Sequence, residues 1–236
     1  VNSQSAITPL NPQALSQEGF VPALPIYRQF LSQSTNLERF HQATWLIPPK
    51  HIDRSAALNA LIALRQQHGA LRMRYLKAET TGSTSSEFVI DGADNLPDIP
   101  LVKLDVSLLS SSQAQLEIEK HALRLTELLN PSKPAGMLAG LWVDRAPGLP
   151  SLLFLAIHHF AVDAVSWSIL LDDLNSLAIH PEQPLAQTSL GLRSWGQQLE
   201  HQASQGVRRE ELALWAEQLT EIVPLPQDRL CSTSEN

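Results

Sequence analysis

The segment His158-His159-Phe160-Ala161-Val162-Asp163-Ala164-Val165-Ser166-Trp167 gathers residue types that move protons. An imidazole with an ordinary pKa near 6.5 takes and returns a proton at neutral pH, and a nearby carboxylate can set its orientation. In an extended or turning backbone, adjacent side chains point to opposite sides. His158 and His159 are thereby offered different roles, one facing a cleft and the other supporting the loop from within. Plainer uses stand beside that chemistry. The pair can be structural, and Asp163 can cap the helix that follows it. An HHxxxD spacing can bring His158, His159 and Asp163 near one metal ion, although adjacent histidines seldom share one. Ser166 lacks the GxSxG setting of an activated nucleophile, and Trp167 suits packing.

A loop of this kind needs a strand to deliver it and a helix to leave it. Leu152 to Ile157 is apolar enough for a buried strand, and Met137 to Asp144 for its hairpin neighbour across the Pro/Gly turn at Ala146 to Pro150. Val165 to Leu177 reads as a helix with Val165, Ile169, Leu170, Leu174 and Leu177 on one apolar stripe. Upstream, the Pro-, Ser-, Gln- and Asn-rich residues 1–24 read as an irregular lead-in, followed by a helix opening at Pro25 and running to about Ser34. Gln42 to Ile47 reads as a strand, and Ser55 to His68 as a helix capped by Ser55 or Asp53. Leu71 to Lys77 alternates apolar and basic residues, which places Arg72 and Arg74 on one face of a strand hairpinned to Glu87–Ile90. Leu101 to Asp105 reads as a strand, Ser110 to Leu129 as an amphipathic helix, and two further helices are expected over about 189–204 and 208–222. The class is mixed α+β with a largely antiparallel or mixed sheet.

The 236 residues allow one large domain or two small ones, and 43% hydrophobic with 17% charged residues is a globular composition. The net charge of −7 and the lack of a long basic run argue against nucleic acid. No apolar run approaches the roughly 20 residues that span a bilayer, and the first residues lack a signal pattern, so a cytoplasmic setting without membrane contact is expected. The single cysteine, Cys231, excludes an intrachain disulfide and a Cys-rich zinc site. No glycine-rich phosphate loop is present.

His158 to Trp167 fits HHxxxDxxSW and resembles the core motif of epimerization domains of nonribosomal peptide synthetases, members of the condensation-domain superfamily related to chloramphenicol acetyltransferase. Condensation domains themselves usually share HHxxxDG without the Val-Ser-Trp ending. Ser168 to Leu174 resembles the family's following helix, Leu24 to Phe30 its opening PIQxWF motif, Phe40-His41-Gln42 its next strand, and His68 to Arg72 its HxALR segment. Leu190 to Leu219 and Pro224 to Asp228 resemble the helical stretch and LPxD that begin the family's second half. Departures are Ala164 for the usual glycine, which would strain the loop if that position needed a positive φ, Gln29 for tryptophan, and Ser168 for a common arginine.

The resemblance implies an α+β, chloramphenicol acetyltransferase-like lobe at residues 25–180, with residues 1–24 as lead-in or linker and 181–236 as a linker and the first helices of a truncated second lobe. It implies epimerization, L to D, at the α-carbon of an aminoacyl or peptidyl thioester. His159 is then the acid/base group and His158 structural, with Asp163 a buried carboxylate paired with Arg72, and Ser166 and Trp167 in support. No metal and no domain-bound cofactor are implied. The substrate would ride the phosphopantetheine of a peptidyl carrier protein. A missing C-terminal lobe, on the same polypeptide or a second chain, would supply a glutamate, so the chain alone is expected to be inactive. Amide-bond condensation, acyl transfer from free coenzyme A, and a noncatalytic carrier-docking module are the alternatives.

Overall fold

Strands β6 (Leu138–Asp144) and β7 (Leu152–His158) are almost continuously apolar, the pattern of strands covered on both faces. In the computed structural model, which describes residues 17–33, 37, 40–77, 87–94, 96–186, 190–206 and 209–220, they pair antiparallel at the centre of a four-stranded sheet. Its order is β2 (His41–Leu46), β7, β6, β5 (Leu101–Asp105), with β5 and β6 parallel and the other pairs antiparallel. Alternation along the central strands divides two cores. Leu153, Leu155 and Ile157 of β7 face one, while Phe154 and Ala156 join the buried Ile118, Ala122 and Leu125 of α3 (Ser111–Thr126) in the other.

The larger core is closed by α1 (Pro25–Gln33), α2 (Arg54–Gln67), α4 (Ala164–Ile179) and a second, three-stranded antiparallel sheet. That sheet runs β1 (Gly19–Val21), β4 (Glu87–Ile90), β3 (Met73–Leu76). Helix α4 is tied to the α2 region at two levels: His68 lies 2.6 Å from the Asp173 carboxylate, and the His51 ring reaches the Ala178 carbonyl at 3.1 Å. Asp53 caps α2 by accepting from the Ala56 N–H, while at α3 the Gln113 side chain accepts from both the N–H and the hydroxyl of Ser110.

The mixed α+β class expected from the sequence is the one found, with three corrections to its elements. Residues 19–21 are paired as a strand, because β4 offers them a free edge. Gly69–Arg72 form a 3-10 turn, and the strand begins only at Met73. The expected helical stripe is incomplete, since Val165 and Ile169 are 69% and 51% exposed while Leu170 and Leu177 are buried. The LPxD-like segment Pro224 to Asp228 and Cys231 lie outside the described residues.

Contacts divide the chain into residues 1–197 and 198–236. Helix α5 (Leu192–Ser204) runs across that division, and α6 (Glu211–Leu219) belongs to the second unit. Along α6, Leu212, Trp215 and Leu219 form an exposed stripe at i, i+3 and i+7 spacing. Among the described residues no helix is long and apolar enough to cross a membrane.

Candidate active site

Strand β7 ends at His158, and the register with β2 sets its neighbours: His158 stands opposite His41, and Ile157 opposite Gln42. Past that point the chain turns, with the His159 N–H donating to the Phe40 carbonyl at 2.9 Å and the Ala161 N–H to the His158 carbonyl at 2.9 Å. The turn separates the two rings. His158 is 0% exposed, whereas His159 is half-buried.

Both nitrogens of His158 are engaged. Nε2 faces the Leu37 carbonyl at 2.7 Å, and Nδ1 accepts the Phe160 N–H at 3.2 Å, so the proton of the neutral ring sits on Nε2. Burial lowers its pKa to about 4, with the Leu37 carbonyl acting in the opposite sense and His159 and His41 lowering it further. At neutral pH His158 is an uncharged anchor.

His159 lies against Phe40 in a stack, ring centroids 4.5 Å apart and 16° between planes, and Phe40 in turn stacks on Phe30 of α1 at 3.8 Å. Its Nε2 is 3.0 Å from the Gln42 side-chain nitrogen. The side-chain oxygen of the same glutamine accepts the Trp167 indole N–H at 2.9 Å. Helix α1 supplies one more support: the Tyr27 hydroxyl donates to the Phe160 carbonyl at 2.8 Å. Burial first, and the Asp163 charge second, push the Tyr27 phenol above its ordinary value, which keeps this donor protonated.

Asp163 is exposed and starts α4. One carboxylate oxygen accepts both the backbone N–H and the hydroxyl of Ser166, each at 2.7 Å, and these bonds hold its pKa below the ordinary carboxylate value. The expected ion pair with Arg72 is therefore corrected. Arg72 is buried and spends its donors on the Arg65 and Gln66 carbonyls at the end of α2 and on the Asp91 carbonyl. Those carbonyls have no partner within their helix and lie at the negative end of its dipole, so the guanidinium is held there. Burial lowers the Arg72 pKa, against the charges of Glu18 and Asp91. The other strand arginine, Arg74, makes a two-pronged pair with the Asp91 carboxylate at 2.7 Å and 2.7 Å.

Ala164 occupies the first position of α4, and Ala135 is the only non-glycine with positive φ among the described residues. The missing glycine thus brings no backbone strain. Among the described residues no group of three or more His, Cys, Asp or Glu is arranged to hold a metal. Gln42 and Tyr27 join the site although their own sequence segments assign them no role. A polar amide at a half-buried position of a short strand is the available signal for Gln42, but its partners are 117 and 125 residues away. An apolar groove of about 670 Å³ lies toward the other end of α4, lined by Ile52, Ala60, Leu153, Leu171 and Leu174, away from the histidine turn.

The condensation domain family matches residues 17–236. A linear gramicidin synthase of Brevibacillus parabrevis is 29% identical over 243 aligned positions, which cover 100% of this chain and 3% of that protein. Surfactin synthase subunit 1 of Bacillus subtilis is 31% identical over 221 positions, covering 90% of this chain and 6% of that protein. Among solved structures, the epimerization domain from the third module of tyrocidine synthetase B superposes with a TM-score of 0.75 at 22% identity, covering 88% of this chain and 46% of that one. A condensation domain that releases chains from the enacyloxin polyketide synthase gives 0.67 at 17% identity, covering 94% and 41%. At these identities the structural likeness speaks for the fold, and the chain spans about half of either solved chain and a small part of the curated relatives.

Proposed function

Because the chain belongs to the condensation-domain family of nonribosomal peptide synthetases, we propose that it is the part of an epimerization domain that carries the acid/base histidine. The reaction is inversion of the α-carbon of an aminoacyl or peptidyl thioester. His159 takes the α-proton onto its ring nitrogen, the electron pair of the broken C–H bond passes to the thioester carbonyl oxygen as an enolate, and a proton returns to carbon from the opposite face. Hydrogen-bond donors around that oxygen lower the barrier. The substrate is tethered to the phosphopantetheine of a peptidyl carrier protein, and the domain binds no cofactor of its own.

One observation carries the reading. His159 is half-buried on a turn whose every motif residue has a use: His158 anchors it, Asp163 with Ser166 starts α4, and the Trp167 indole reaches Gln42 beside the ring. The Ser-Trp ending that separates the epimerization motif from the condensation motif is thus part of the site. We assign residues 25–180, joined by the paired strand β1, to one lobe and residues 181–236 to a linker and the start of the next. The exposed stripe of Leu212, Trp215 and Leu219 is a surface that the remainder of such a domain would cover. A tunnel between two such lobes, with a glutamate of the second, completes the site in this reading.

The test is deuterium wash-in at the α-carbon of a thioester loaded on its carrier, in D2O, with the complete domain and its His159→Ala variant. Incorporation and a D/L mixture with the parent, and neither with the variant, are expected. Equal incorporation by both refutes the assignment, and an amide product from two loaded carriers gives the site to condensation.

A further inference from the structure

The indole N–H of Trp167 can only donate, so the group 2.9 Å from it must be the oxygen of the Gln42 amide. That fixes the amide's other end. Its NH2 group points at Nε2 of His159, 3.0 Å away, and a ring nitrogen facing a donor must accept. The neutral His159 ring consequently carries its proton on Nδ1 and its lone pair on Nε2. His158 has the reverse arrangement, since Nε2 faces a carbonyl and Nδ1 accepts an N–H. The stack on Phe40 sets the ring plane of His159 independently, and the backbone bond to the Phe40 carbonyl holds the main chain beneath it.

We propose that Gln42 and Trp167 are positioning residues that select the Nδ1–H tautomer of His159 and aim its Nε2 lone pair, so that adjacent histidines are held in opposite tautomers. The inference rests on reading His159 as the proton-transfer group, and it gives that reading its reactive atom. The α-proton reaches Nε2 only when the Gln42 NH2 group moves off it, because one lone pair cannot take both. The Trp167 indole keeps the amide from rotating its oxygen toward the ring, which would favour the other tautomer.

The tautomer is read on this chain itself, with no need of activity. In long-range 1H–15N spectra of the 15N-labelled chain at about pH 8, the two neutral tautomers exchange the shifts of their ring nitrogens. His159 in the parent is expected to show the Nδ1–H pattern, the minority form of free histidine. Gln42→Glu presents acceptors only and should invert His159 to the Nε2–H pattern, Gln42→Leu should let it relax toward the free-histidine preference, and Trp167→Phe should give a mixture. His158 should keep its Nε2–H pattern throughout, which reports that each variant is folded. A parent His159 in the Nε2–H form, or a His159 pattern unmoved by Gln42→Glu in a variant with His158 intact, overturns the proposal. These outcomes are separate from those of wash-in: exchange that ignores His159→Ala defeats the epimerization reading whatever the tautomer, and a wrong tautomer defeats this inference whatever the exchange.

Discussion

The sealed ring of His158 makes stability depend on pH in a defined window. In the unfolded chain this histidine binds a proton as the pH falls below about 6.5, but in the fold burial holds it neutral down to about 4. Between those values the unfolded state binds more protons, so stability is lost as the pH falls. Above 6.5 neither state is protonated and the group contributes no pH dependence, and below 4 the loss is complete. At 1.36 kcal/mol per pH unit, the full loss is about 3 kcal/mol, most of it present by pH 4.5. His41 and His159 lie close enough to push in the same direction.

Urea unfolding at several values between pH 7.5 and 4.5 measures this. Carboxylates contribute their own acid sensitivity, so the comparison is with His158→Gln, which retains an N–H donor for the Leu37 carbonyl and does not titrate. The variant is less stable at pH 7.5, and what matters is its slope. The parent should lose about 2–3 kcal/mol more than the variant, a midpoint difference of about 1 M urea at ordinary denaturant sensitivities. Parallel curves refute the argument. If the variant does not fold, the parent's own His158 ring signals decide it, because titration near pH 6.5 is incompatible with a sealed neutral ring.

Asp163→Ala removes a helix cap and should cost about 1 kcal/mol in chemical denaturation, well short of the roughly 3–5 kcal/mol that breaking a buried ion pair would cost. Tyr27→Phe leaves the buried Phe160 carbonyl without its donor and should cost about 1–3 kcal/mol, read in the same way. Ala135 has φ 56°, so Ala135→Gly should raise the unfolding free energy by about 0.5–1 kcal/mol. At the next residue a Cβ would lie 1.9 Å from the Asn130 carbonyl oxygen, and Gly136→Ala should destabilise by more than about 2 kcal/mol, seen as a lower Tm.

The elements legible in the sequence were those whose burial is written locally. The apolar runs of β6 and β7 and the periodicity of α2 needed no distant partner to be read, and of the two caps open to α2, Ser55 and Asp53, the structure uses Asp53. What the sequence concealed was decided by groups far along the chain. Strand β1 exists because β4 accepts it as an edge. Arg72 looked like a strand residue, yet the unpaired carbonyls ending α2 capture its guanidinium and tighten that stretch into a 3-10 turn. Asp163 resembled a buried ion-pair partner, and a serine three residues on took it as a cap. The histidine turn was evident from residue types, whereas Gln42, drawn to it by sheet register, was not.

The cap and the ring are mechanically continuous. Asp163 holds Ser166, which fixes the first turn of α4, and Trp167 is the next residue on that turn. Its indole holds the Gln42 amide, and the amide faces His159. The carboxylate is thus linked to the imidazole through the first turn of the helix, by a series of hydrogen bonds and not by a direct one. The first turn of α4 offers Asp163 N–H donors and the positive end of a dipole, and the His159 ring adds a charge contribution in the same sense. The same turn explains why the alanine at position 164 is tolerated. The first helical position requires an ordinary negative φ, so the side chain there is free to vary while Asp163, Ser166 and Trp167 are each committed to a hydrogen bond.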